Sequence, residues 1–139
     1  VIAIDDRDRA LEIVETVRHE FPHLRIFARA FDRVHAYQLL NAGVGDVHRE
    51  VFAASVDMGE NILEALGLHP YEARRAARAF KHHDEATLRL AAKHMDDTEK
   101  IVDISRKARA EIAAVLAADR GEAPMAGDHD WEAPDTTRE

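Results

Sequence analysis

The stretch VIAIDD (residues 1–6) decides the fold class, because four consecutive apolar residues are followed at once by an acidic pair. Such a short apolar run bounded by turn residues is typical of a strand buried on both faces. Asp5 or Asp6 is a suitable N-cap for a helix that ends before Phe21-Pro22, since the residue before a proline avoids helical dihedral angles. The chain is therefore predicted to begin with a strand followed by a helix.

The same alternation continues downstream. Residues 24–28 (LRIFA) are predicted to form a second strand, Asp32 to cap a second helix that ends at Gly43, and residues 44–47 to form a last short strand. Alternating strands and helices imply right-handed crossovers and a parallel α/β sheet. About three strands are too few for a stable doubly wound fold. We therefore expect this sheet to be one half of a larger one.

From Phe52 onward the hydrophobic period is helical. Helices are predicted over 52–66, 71–95 and 101–118, and the last two form a helical arm whose Ala and Leu stripe suits packing against a second copy. The residues after Asp119 are acidic and contain Gly and Pro, which is typical of a disordered tail. The predicted parts are a partial parallel α/β domain at 1–50, a crossover helix and helical arm at 51–118, and the acidic tail at 119–139.

The composition excludes several classes of function. The sequence has no cysteine, so no disulfide, thiolate metal site or cysteine nucleophile is available. The net charge is −8, of which residues 119–139 carry −5 and the first 118 residues carry −3. This acidic balance argues against a nucleic-acid partner, whose phosphates require a basic surface. No apolar run approaches the roughly 20 residues of a membrane-spanning helix, and no signal peptide is visible.

Charged side chains follow the three predicted strands at their carboxyl ends, where parallel α/β sheets bind ligands. Asp5 and Asp6 suit a metal ion or a ribose hydroxyl, or a cap on the following helix. Arg29 suits a phosphate or carboxylate, or is a solvated strand end. Arg49 follows the third strand, and two arginines on one rim predict an anion site.

Other constellations give weaker signals. His82 and Glu85 share a helix face within the run HHDE, but two ligands without a further histidine one turn away do not predict a metal site. Ser55 and Ser105 lie on predicted helices with no glycine elbow around them. Because no nucleophile, paired acid and base or cofactor loop is visible, the sequence indicates a protein that is not an enzyme.

Four segments carry a family likeness. They are AIDD at 3–6, FPHLRIFARAFDRVHAYQLLNAGV at 21–44, RE at 49–50 and ALGLHPYEARRAARAF at 65–80. In this order they resemble the cytosolic regulatory domain of Kef-type glutathione-regulated potassium-efflux systems, a domain of the potassium-conductance regulator or potassium-transport nucleotide-binding class. The likeness runs to about Asp84 and weakens beyond it to a faint echo at 129–131.

The resemblance implies a Rossmann-like sheet of about six strands whose first half holds a nucleotide, AMP or NAD(H), on a GxGxxG turn. No GxGxxG occurs in this sequence, and VIAIDD resembles the fourth strand, so the chain corresponds to the second half and the following helices. Helix 52–66 resembles the crossover helix through which such domains form homodimers. The other implied partners are an attached membrane antiporter and an ancillary oxidoreductase, at the cytoplasmic face of the inner membrane.

The resemblance also implies site residues. Arg49 matches an arginine that helps bind glutathione, and Asp84 stands where some members have an asparagine that contacts the same ligand. Asp5, Asp6 and Arg29 would lie at the rim that faces the nucleotide. Glutathione would favour a closed transporter, and a bulky electrophile adduct would favour opening by displacing an aromatic side chain of the first half.

Two alternatives belong to other classes. A response-regulator receiver also begins with an apolar strand ending in Asp-Asp, but it needs a lysine after its fifth strand, and the first lysine here is Lys81 inside the helical arm. The second alternative is a structural dimerisation module with a vestigial sheet. Such a module would recognise neither glutathione nor nucleotides.

Overall fold

The structure is a computed structural model, and it describes residues 1–119 of the 139. In chain order its elements are α1 (Arg7–Glu20), β1 (Phe27–Ala30), α2 (Arg33–Asn41), β2 (Asp46–Arg49), α3 (Phe52–Ala65), α4 (Pro70–Ala92) and α5 (Thr98–Asp119). The mixed α/β class predicted from the sequence is confirmed.

The ends of the helices follow the local sequence. Asp6 accepts a hydrogen bond from the Arg9 backbone N–H at 2.9 Å, and so begins α1. Asp32 accepts one from the His35 N–H at 2.8 Å, and so begins α2. Gly43, with φ of +89°, follows the end of α2 in a conformation that a side chain would disfavour. These caps and this glycine are where the sequence predicts them.

The sheet is smaller than predicted. Strands β1 and β2 pair in parallel, and Ile2 joins them only through one parallel bridge to Ala28. Of the predicted buried strand at 1–4, Ile2 alone is buried, while Val1 is 99% exposed. Within residues 1–119 only β1 pairs with this segment, so its remaining apolar side chains have no second strand beside them. The prediction of about three strands is thus replaced by two strands and a bridge.

Both strands also begin later than predicted. Residues 21–24 form a turn, in which the Leu24 N–H donates to the Phe21 carbonyl at 3.0 Å. The Val44 N–H donates to the Leu39 carbonyl at 3.0 Å, so Val44 is part of the turn that follows α2. The backbone N–H of the first residue of each predicted strand is therefore engaged in a local turn, and strand pairing begins only after it.

One core lies on one face of the sheet. Its buried side chains are Ile2, Ala10, Val14, Ile26, Ala28, Ala30, Ala36, Tyr37, Leu39, Val44, Leu88, Ala91 and Ala92. The last three belong to α4, whose end is also joined to α2 by a hydrogen bond from Asn41 Nδ2 to the Ala92 carbonyl at 2.9 Å. The C-terminal third of α4 is therefore part of the α/β core, while its N-terminal half packs against α3 and α5 packs along it.

The predicted disordered tail at 119–139 lies, apart from the last residue of α5, outside the described residues. None of the helices within residues 1–119 combines the length and apolar character needed to cross a lipid bilayer.

Candidate ligand-binding site

The strand register separates the two predicted rim arginines. Arg29 is paired with His48, and Arg49 is paired with Ala30. Because paired residues point to the same face and neighbours along a strand to opposite faces, Arg29 and Arg49 lie on opposite faces of the sheet. Arg49 shares the face of the buried Ala30, and the two arginines do not form a joint anion site.

Arg29 lies on the face of the sheet opposite the core, which we call the open face, and its contacts are with residues at the ends of the strands. It donates a hydrogen bond to Asp5, lies 3.8 Å from a Glu50 carboxylate oxygen, and donates to the Ala3 carbonyl at 3.3 Å. The Asp5 side chain is 96% exposed, so this pair is largely solvated. Asp6 is occupied as the N-cap of α1. The three residues predicted to face a nucleotide therefore lie close together: Asp5 and Arg29 form an ion pair, and Asp6 caps a helix.

Arg49 and Asp84 contact each other directly. Arg49 Nη2 donates to Asp84 Oδ2, and Arg33 Nη1 donates to Asp84 Oδ1 at 2.8 Å. The side chains of Arg49 and Asp84 are 10% and 17% exposed. We call this arrangement the Arg33–Asp84–Arg49 cluster. It holds two guanidinium groups and one carboxylate, so its formal charge is +1.

Aromatic side chains fix the directions of both guanidinium groups. Arg33 Nε donates to the Tyr37 hydroxyl at 2.8 Å, and the Arg49 guanidinium lies over the Phe52 ring, 3.6 Å from its centroid. Burial acts to lower the pKa of Arg33, but the hydrogen bonds to Asp84 and Tyr37 outweigh it and the pKa is raised. Both guanidinium groups are therefore held in place.

Three members of this site were missed by sequence reasoning: Arg33, Tyr37 and Phe52. Arg33 is the first residue of α2 and follows the Asp32 cap, which places it just beyond the carboxyl end of β1. Tyr37 lies one turn later on the same face of the helix. The rule that ligands bind at strand ends would have included Arg33 if it had been extended to the first turn of the next helix.

A groove opens beside the cluster, between β2, the start of α3 and α4. Its volume is about 230 Å³, and the residues around Arg49 in its lining are Leu40, Asp46, Val47, His48, Phe52, Ala53, Lys81, Glu85, Leu88 and Arg89. Ligand pockets commonly measure ~300–1,000 Å³. The described residues thus supply an Arg-lined groove that suits a small anion or one end of a longer ligand.

A buried histidine lies next to the site, in the first turn of α2. His35 is 1% exposed, its Nδ1 accepts from the Phe31 N–H at 3.3 Å, and its Nε2 has no partner among the described residues. Burial, and secondarily the charge of Arg7, lowers the pKa of His35. Arg7 itself is 2.8 Å from Asp32 and lies over the Phe31 ring. His35 is therefore a neutral core residue.

The parallel strands and the helices that alternate with them place the chain in the mixed α/β class, and its charged side chains lie beyond the carboxyl ends of the strands, where proteins of this class commonly bind ligands. Residues 54–132 match the family model described as the potassium efflux system KefB C-terminal domain. Because this match spans more than half of the chain, the protein belongs to the family of Kef C-terminal domains. The resemblance drawn from the four sequence segments is confirmed.

A solved structure supports the same assignment. The chain is similar to the C-terminal domain of Kef from Shewanella denitrificans in AMP-bound form, with 47% sequence identity and a TM-score of 0.64. The match covers 66% of this chain and 58% of that one. The chain therefore spans less than two thirds of the length of this relative.

Proposed function

We propose that this chain is part of the regulatory domain of a glutathione-gated potassium/proton efflux antiporter. Glutathione would hold the transporter closed, and an electrophile adduct of glutathione would favour opening. A ligand can do this only by binding the two states with different affinity. Membership of the Kef family supports the regulatory role. Transport would be carried out by an attached membrane domain, with this domain on the cytoplasmic face of the membrane.

The observation that carries the glutathione proposal is the placement of Arg49. Its guanidinium lines the groove, lies over the Phe52 ring, and belongs to a cluster of formal charge +1. Glutathione has two carboxylates, and a guanidinium binds a carboxylate through two parallel hydrogen bonds. The groove adds Lys81 and Arg89 as further cations. A peptide anion is therefore the ligand class that this edge of the sheet suits best.

Asp84 is the residue of this site that departs from the amide found in some relatives. A lone carboxylate would repel an anionic ligand, but Arg33 and Arg49 neutralise Asp84 and leave one positive charge over. Asp84 can also accept a hydrogen bond from the ammonium group of the peptide. The acidic residue is thus compatible with a glutathione site.

The test is calorimetric titration of glutathione, and of a bulky glutathione adduct, into the folded chain. Arg49→Ala should weaken glutathione binding about 10- to 100-fold, the range for a lost hydrogen bond between charged groups. Arg9→Ala is the matched control, because Arg9 is an exposed arginine of α1 that pairs with Glu12. Equal affinity in the Arg49 variant and the unsubstituted chain would remove Arg49 from the site. No binding of either ligand would refute the glutathione proposal.

The nucleotide proposal concerns the open face of the sheet. Asp5, Asp6 and Arg29 would face a bound AMP or NAD(H), with a carboxylate suited to a ribose hydroxyl and the guanidinium to a phosphate. The AMP-bound form of the Shewanella relative supports a nucleotide of this kind. Such a nucleotide is expected only in the intact domain, whose first half would hold its phosphates. In that intact domain we expect Arg29→Ala to weaken AMP binding and to leave glutathione binding unchanged, because Arg29 and Arg49 lie on opposite faces of the sheet.

Self-association is the third part of the proposal. Helix α3 has no buried residue, and Met58 and Ile62 of the helix and Leu66 at its C-cap are exposed at spacings of four. Such a stripe suits a second copy of the chain. An ancillary oxidoreductase would be a further partner. The alternative function is a nucleotide-sensing or purely structural dimerisation module, which would form dimers but would not bind glutathione.

A further inference from the structure

We infer that the Asp84 carboxylate occupies the place of a ligand carboxylate, and that an anionic ligand binds by displacing it from Arg33 and Arg49. This inference rests on the proposed function, because it concerns the same arginine site. It adds a mechanism of regulation, in which the site is closed by a side chain of α4 and ligand binding frees that helix.

The first argument is the hydrogen bonding of the cluster. A guanidinium has five N–H donors in a planar fork that matches a carboxylate. Within residues 1–119, Asp84 is the acceptor that Arg49 engages, and it divides its two oxygens between Arg49 and Arg33. Neither arginine therefore makes the two-bond fork with Asp84. A free carboxylate can make that fork with Arg49, and so it can compete with the tethered one.

The second argument is the position of Asp84 along α4. On its C-terminal side, Leu88, Ala91 and Ala92 are buried in the α/β core. On its N-terminal side, the helix packs against α3, where Arg74 lies 3.3 Å from Glu60, and against α5, where His83 lies 3.3 Å from Glu111. Between these two regions, the ion pairs of Asp84 attach α4 to Arg33 of α2 and to Arg49 of β2. Their release would loosen the N-terminal half of α4, and with it α3, from the sheet.

The third argument is the surrounding charge. The groove around Arg49 also presents Lys81 and Arg89, with Glu85 as the acid that α4 contributes. Asp46 in the same lining is already paired with Arg25 at 2.8 Å. A ligand anion entering the groove thus meets cations before it reaches Asp84. The displaced Asp84 side chain would move toward solvent, where hydration compensates for its lost partners.

The test compares the unsubstituted chain with Asp84→Asn, which keeps the shape of the side chain and removes its charge. Glutathione and N-acetylated glutathione, which lacks the ammonium group, are titrated into both. If Asp84 is displaced, the variant should bind both peptides about ten-fold more tightly, because no internal carboxylate competes. If Asp84 instead binds the ammonium group, the variant will bind glutathione more weakly and N-acetylated glutathione unchanged. That second result would overturn the inference and leave the proposed function intact.

A second measurement does not depend on the variant. In the unsubstituted chain, glutathione should increase amide hydrogen exchange in the first half of α4, at residues 73–84, and leave residues 88–92 protected. Decreased exchange over 73–84 would overturn the inference. Absence of glutathione binding to both chains would refute the proposed function itself, and the inference with it.

Discussion

Arg33 and Arg49 donate to the two oxygens of one carboxylate, although they come from different elements of the fold. Arg33 begins α2, Arg49 ends β2, and Asp84 reaches both from α4. The β2 strand and α2 are thereby joined to a helix that lies outside the α/β alternation. This cluster is both a structural link and the basis of the proposed ligand site.

Loss of the Asp84 side chain should destabilise the chain. Asp84→Ala leaves two partly buried guanidinium groups without their shared acceptor, so we expect the free energy of unfolding to fall by about 2–3 kcal/mol. Urea denaturation followed by circular dichroism measures this change. The matched control is Asp103→Ala, which removes a carboxylate from an exposed pair with Lys107 and should leave the urea midpoint unchanged. Equal midpoints for the two variants would show that the cluster adds nothing to stability.

His35 should make stability depend on pH. Burial lowers its pKa, so below about pH 6.5 the unfolded chain takes up a proton that the folded chain does not. The free energy of unfolding should therefore fall as the pH is lowered from 7 to 5, by at most ~1.4 kcal/mol per pH unit from this one group. The measurement is urea denaturation across that range.

Substitution of His35 distinguishes its contribution to the pH dependence of stability from the contributions of other titrating groups. In His35→Asn the side-chain oxygen can still accept from the Phe31 N–H, and no titration remains at this position. The variant should be less stable overall but should have a flatter pH dependence between 7 and 5. His82→Asn, which removes an exposed histidine of α4, is the control and should keep the original slope. An unchanged slope in His35→Asn would assign the pH dependence to other residues.

The local features of the fold could be predicted from the sequence, and the long-range ones could not. Asp6 and Asp32 cap helices because their hydrogen bonds reach only three residues along the chain. The bond from Arg33 to Asp84 spans 51 positions, and no local pattern encodes it. The opposite orientation of Arg29 and Arg49 depends on the strand register, which in turn depends on where each strand begins.

One side-chain amide joins α2 to the end of α4, in addition to the apolar packing between them. Asn41→Ala removes the hydrogen bond to the Ala92 carbonyl and leaves that buried acceptor without its side-chain donor. We expect a loss of about 1–2 kcal/mol in the free energy of unfolding. Asn61→Ala, at an exposed position of α3, is the matched control and should change stability by less than about 0.5 kcal/mol. If the two variants lose equal stability, the Asn41 bond does not hold α4 to the core.

The exposed stripe of α3 should control self-association. Ile62 is 49% exposed in the single chain, so Ile62→Glu places a charge in the middle of the proposed interface without removing a core contact. We expect the dissociation constant of the dimer to rise at least ~10-fold, as for a central interface residue, and the stability of the monomer to stay the same. Leu90→Glu is the matched control, because Leu90 is also 49% exposed but lies on α4 near its C-terminal end. Analytical ultracentrifugation over a range of concentrations measures both variants. Equal weakening by the two substitutions would indicate non-specific hydrophobic association, and no weakening by Ile62→Glu would place the dimer contact on another surface.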